Sequence, residues 1–155
     1  MKGKNTTQII TGLRVIGLLL ILEAGFMALS LLPSLYYRQG DFFALLFSTL
    51  ITLSVGLLCR IKRVDKQLSI DKRLGISIVA LIWLLIGFFG SLPYLIGGYI
   101  PSIVDAIFET LSGLTTTGAT ILSDVESLPK GILFWRSLTH WIGGVGIVVI
   151  VVSFV

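Results

Sequence analysis

From Leu74 to Val104 the chain carries no charged side chain. A helix of about 17–25 apolar residues crosses the hydrocarbon of a bilayer, and Gly75–Ile96 makes such a span. Three other stretches qualify: Ile9–Leu32, closed by Pro33; Phe42–Cys59, which is charge-free; and Ser137–Val155, interrupted only by His140. Composition agrees. Hydrophobic residues fill 55% of the 155 positions and charged residues 13%, where a soluble domain carries about 25% charged. So few polar groups cannot cover a water-facing surface. The expected class is an all-α membrane protein, because only a helix satisfies its own backbone within a single lipid-crossing segment.

Charge placement predicts orientation. The segment "RIKRVDKQLSIDKR" holds Arg60, Lys62, Arg63, Lys66, Lys72 and Arg73, and the N-terminal tail adds Lys2 and Lys4. The connection 33–41 has only Arg38, and the approach to the last span only Lys130 and Arg136. By the positive-inside rule the N-terminus and the basic loop face the cytoplasm. The net charge of +4 thus reads as topology in a lipid bilayer, not as nucleic-acid binding. Lys2, Lys4 and Arg14 before the apolar run Val15–Leu22 imitate a signal peptide, but no small-x-small cleavage site follows. An uncleaved first helix is expected. The single cysteine, Cys59, allows no disulfide within the chain.

On the opposite face Tyr36, Tyr37, Phe42, Tyr94, Tyr99 and Trp135 read as interface aromatics. Asp105, Glu109, Asp124 and Glu126 stand there against Lys130 alone. They form either an acidic mouth that concentrates cations or ordinary solvated charges.

Between these spans lies "SGLTTTGAT", residues 112–120. The preceding "SIVDAIFETLSG" reads as a short helix: Ser102 can cap it, Asp105 stands three residues on, and Ile103, Ile107, Leu111 and Leu114 recur at helical spacing. Its helical residues 104–114 reach only ~16 Å, half a bilayer. Thr115–Ala119, if extended, return about the same distance. The lengths predict a re-entrant loop with both ends on the outer side. Irregular backbone at that depth must be enclosed or line a water-filled cavity. Small side chains let the carbonyls of Thr115, Thr116, Thr117, Gly118 and Ala119 face a narrow axis, and Gly118 can take positive φ without the steric cost of a Cβ. Such carbonyls can replace the hydration shell of a cation, and the C-terminal end of the half-helix favours one.

The segments "DAIFETLSGLTTTGAT" (105–120) and "FWRSLTHWIGGVGIVV" (134–149) resemble the Trk/Ktr/HKT superfamily of potassium transporters, most closely its TrkH-type membrane subunits, over residues 76–150. The resemblance implies four span–loop–span repeats around one potassium-channel-like pore. Residues 1–60 would be an N-terminal transmembrane hairpin, 61–73 a cytoplasmic basic loop, and 74–155 the first span–pore loop–span repeat. Its pore helix would run about 103–114. Thr115, Thr116, Thr117, Gly118 and Ala119 would bind K+, the transported ion; a single glycine per loop would replace the two of potassium-channel filters, and glycine rather than serine, as at Gly118, goes with potassium preference. The resemblance further implies a homodimer, a cytosolic nucleotide-binding regulatory subunit, and residence in the bacterial cytoplasmic membrane. With only one repeat present, the chain reads as the N-terminal part of a four-repeat transporter.

No catalytic residues, enzyme activity or organic cofactor are expected, since His140 lacks a complete catalytic set around it. The alternative is a non-conducting structural or accessory subunit. Glu23, inside the first span, is expected to pair or to lie at an interface. Arg136 is expected to reach water at the membrane boundary, and His140 to hydrogen-bond a neighbouring repeat. Gly143, Gly144 and Gly146 are expected to allow close helix packing or a bend.

Overall fold

The computed structural model describes residues 2–61 and 72–153, and these fold into five helices: α1 (Lys2–Tyr37), α2 (Phe42–Leu58), α3 (Lys72–Ile96), α4 (Ile103–Leu114) and α5 (Lys130–Ser153). No strand occurs among the described residues. Most of the basic loop 61–73, including Lys62, Arg63 and Lys66, lies outside them. Within α1 and α3, Gln8–Tyr37 and Gly75–Ile96 are long and apolar enough to cross a membrane, and α2 is a shorter apolar helix.

Pro33 does not close the first helix as expected; it lies inside α1. Proline removes one N–H and crowds one carbonyl, so the chain resumes helical geometry for another turn. The stop comes later, where Arg38 and Gly40 take φ of 52° and 90°. α2 hides its hydroxyls locally: Ser48, Thr49, Thr52 and Ser54 donate to the carbonyls of Ala44, Leu45, Ser48 and Leu50 at 2.6–2.8 Å. Such back-bonding satisfies polar side chains on an apolar helix. α1 and α2 cross at Gly17 and Gly56, where a Cβ on either would run into the other's carbonyl oxygen. Small residues permit that approach.

One core gathers Met27, Leu45, Tyr94, Ile100, Ala106, Leu128, Ile132 and Trp135. It joins the α1–α2 hairpin to the later helices. Two of the expected interface aromatics, Tyr94 and Trp135, are therefore core residues at 0% and 1% exposure. Trp135 Nε1 donates to the Gly90 carbonyl at 2.9 Å. Tyr36 and Tyr37 do stand exposed. A second cluster, Ile16, Leu20 and Phe89, holds α1 to α3.

The hairpin turn also serves α5. The first N–H groups of a helix lack partners within it. Gln39 Oε1 accepts from Lys130 N at 2.7 Å, and Asp41 Oδ2 accepts from Ile132 N at 3.2 Å. Asp41 is fully buried and also accepts from Ser34 Oγ at 2.5 Å. Its charge lies at the positive end of the α5 dipole, where an anion is stabilised. Nearby, burial and then the Asp41 carboxylate raise the Tyr99 phenol above its ordinary pKa.

Candidate functional site

α4 begins at Ser102, whose hydroxyl accepts from Asp105 N at 3.4 Å. It ends at Leu114 because the next residues leave helical geometry one after another. Thr115 is still right-handed (φ −85°, ψ 0°), Thr116 has φ 56°, and Gly118 has φ 74°. Thr115–Ala119 is thus a turn followed by irregular chain, not the uniform extended strand that length alone predicts. A β-branched residue with positive φ is a true outlier, and such outliers gather at functional sites.

The amides of this segment all turn one way. Thr115 N donates to Leu111 O at 2.8 Å, Thr116 N to Gly113 O at 2.9 Å, and Thr117 N and Gly118 N to Ser112 O at 3.0 and 3.4 Å. They occupy the last carbonyls of α4, which would otherwise lack partners. No peptide bond among the described residues is cis, so each N–H opposes the carbonyl before it in the same planar unit. The carbonyls of Leu114, Thr115, Thr116 and Thr117 consequently face away from α4. Leu114's carbonyl abuts Gly143 of α5, where any Cβ would collide with it. That is the close packing expected there, seen at Gly143.

The side chains follow the same economy. Thr115 Oγ1 donates to Leu111 O and lies 2.8 Å from Thr117 Oγ1. Thr116 Oγ1 donates to the Thr115 carbonyl at 2.7 Å. Ser112 Oγ donates to the Ala119 carbonyl at 2.5 Å, leaving that oxygen a second lone pair. All five predicted ion-binding residues, 115–119, are exposed on this chain, and a Cβ at Gly118 would meet nothing within 4 Å.

The far end of the segment is held by an ion pair that was not anticipated. Glu109 is 1% exposed, not a solvated member of an acidic mouth. Its carboxylate accepts from Thr120 Oγ1 at 2.9 Å to each oxygen, from Ile121 N at 3.1 Å, and from Arg136 Nε at 2.7 Å. Arg136 therefore points inward rather than to water, because a buried carboxylate needs converging donors. Asp124 and Glu126 remain exposed. A helical phase that puts Glu109 beside Ala106 and Thr110 was the available signal; its partner lies 27 residues on. His140 Nδ1 sits 2.9 Å from the Arg136 carbonyl of its own helix.

Glu23 is 6% exposed, and neither carboxylate oxygen has a hydrogen-bond partner among the described residues. Of the two roles expected for it, pairing is not seen among the described residues. The residue borders an apolar cavity of about 580 Å³, together with Phe26, Trp83, Thr115 and Ile142.

Comparison with known proteins matches this geometry to a family. The profile of the TrkH family, described as cation transport proteins, fits residues 42–155. The chain is 39% identical over 142 residues to the Trk system potassium uptake protein TrkH of Halomonas elongata, covering 91% of this chain and 30% of that protein. The protein of the same name from Escherichia coli K12 is 39% identical over 90% of this chain and 29% of its own length. The crystal structure of the potassium transporter TrkH from Vibrio parahaemolyticus superposes with a TM-score of 0.85 at 38% identity, covering 95% of this chain and 32% of that one. The chain thus spans about 30% of the length of the curated relatives it matches.

Proposed function

This chain belongs to the TrkH family of cation transport proteins, and we propose that it supplies one quarter of a potassium uptake path, with Thr115–Ala119 as its ion-selecting segment. The observation that carries this reading is the common direction of the amides at 115–118, all turned back onto α4. Of their opposing carbonyls, that of Leu114 packs on Gly143, while those of Thr115, Thr116 and Thr117 belong to exposed residues, and oxygens arrayed in this way can substitute for water around a dehydrated cation. Positive φ at Thr116 and Gly118 supports it, since alternating handedness keeps successive carbonyls on one side where a strand would alternate them.

In this reading α4 enters the membrane from the outer face and stops halfway, its 12 residues reaching ~18 Å. The segment 115–129 climbs back. The C-terminal, partially negative end of α4 then points at the ion. α1 and α2 form the N-terminal hairpin, and the N-terminus lies in the cytoplasm of a bacterial cell with the chain in its inner membrane. Three further repeats complete the ring around the pore. A second copy and a cytosolic nucleotide-binding regulator complete the assembly.

Gly118→Ser in the complete transporter tests it. The space around a Cβ at 118 is open, so the substitution acts through the backbone: a left-handed conformation costs a non-glycine residue roughly 1–2 kcal/mol. The expected result is weaker preference for K+ over Na+ in uptake assays, with the protein still assembled. Unchanged selectivity, together with tolerance of Gly118→Leu, would instead favour a non-conducting accessory role.

A further inference from the structure

The segment 115–119 is tied at two ends by different means. At the inner end, its own amides bind the last carbonyls of α4. At the outer end, no backbone ladder is available; beyond the Ser112 hydroxyl on the Ala119 carbonyl, the tie is a buried charge. Glu109 takes both the hydroxyl of Thr120 and the amide of Ile121, the two residues that follow Ala119. Arg136 of α5 holds that carboxylate from the other side through Nε. Gly118 is the last residue of the inner tie, through its amide, with open space where a side chain would be.

We propose that Glu109, oriented by Arg136, is a positioning residue for ion selection. The inference rests on the reading of 115–119 as a filter. Selecting K+ over Na+ depends on how carbonyl oxygens are spaced and how readily they shift. A segment anchored only at its inner end could close around a smaller ion by moving its outer end. Glu109 forbids that movement by fixing Thr120 and Ile121 to the same helix that holds Thr115–Gly118. A carboxylate suits this task because charge-assisted hydrogen bonds are roughly twice as strong as neutral ones. Side chains that support a site from behind in this way set its precision. The glutamate amide analogue would not serve: glutamine keeps one acceptor oxygen and turns two donors toward a pocket already holding the donors of Thr120, Ile121 and Arg136.

The test compares Glu109→Gln, Thr120→Val and Gly118→Ser in the full-length transporter. K+ and Na+ uptake and thermal unfolding in detergent are read in parallel. Glu109→Gln is expected to lower the K+-over-Na+ preference about tenfold, the scale of one charge-assisted hydrogen bond. Thr120→Val keeps the shape of the side chain and leaves the Glu109–Arg136 pair whole, so it should shift the ratio less and in the same direction. Variants that melt earlier yet keep the wild-type ratio would overturn the proposal, because a purely structural brace moves stability alone. If Glu109→Gln does not accumulate, Thr120→Val decides by the same criterion. Should Gly118→Ser shift the ratio while the other two leave it unmoved, only this inference falls. An unmoved ratio in all three variants brings down the filter reading and this inference with it.

Discussion

Glu109 and Glu23 are both buried acids in a chain with few charges, and the fold treats them in opposite ways. Around Glu109, a hydroxyl, an amide and a guanidinium converge from two separate stretches of chain. Around Glu23 there is an apolar cavity, and Oε1 comes up against Gly90 beside the methyl of Thr110. Removing a carboxylate from water is costly whatever surrounds it; donors decide whether the cost is offset. Glu109 therefore ties α4, the loop and α5 into one arrangement, while Glu23 has no hydrogen-bond partner among the described residues.

Removing each acid should have effects of opposite sign, and the largest is expected at Glu109. Glu109→Leu leaves Arg136 and the Ile121 amide without their partner, so thermal unfolding in detergent should show a loss of about 3–5 kcal/mol. A loss below about 1 kcal/mol would mean that Arg136 readily swings to water, and the contrast would fail. Asp41→Ala comes next. It removes the anion at the start of α5 and strands the Ser34 hydroxyl, and should cost about 2 kcal/mol by the same measurement. The smallest effect, and the one of opposite sign, belongs to Glu23→Met. Replacing an unpartnered carboxyl by an apolar group of similar length should raise stability by about 1 kcal/mol. A decrease would show that Glu23 finds a donor in the complete transporter, which would sharpen the comparison by naming where to look.

Apolar length and local helix signals were legible in the sequence. Gly75–Ile96 lies within α3, and the spacing that begins at Ser102 corresponds to α4 with its Ser102–Asp105 contact. The sequence also singles out 115–119, where the backbone departs from regular geometry. Depth and long-range pairing were not legible. Glu109 and Arg136 have the composition of solvated boundary residues, and only the packing of α5 against α4 brings them together. Trp135 and Tyr94 share their residue types with interface aromatics, yet the hairpin's Met27 and Leu45 cover them. Pro33 misled for a different reason: a proline forbids one hydrogen bond, and a long apolar helix tolerates that loss.

The caps at Lys130 and Ile132 come from Gln39 and Asp41, 91 positions earlier in the chain. A ribosome makes the acceptors long before the amides that need them. Until α5 emerges, Asp41 must wait with its charge only partly satisfied, at the turn of a hairpin already able to pack on itself through Gly17 and Gly56. The first hairpin thus acts as a template laid down in advance, and α5 completes it on arrival.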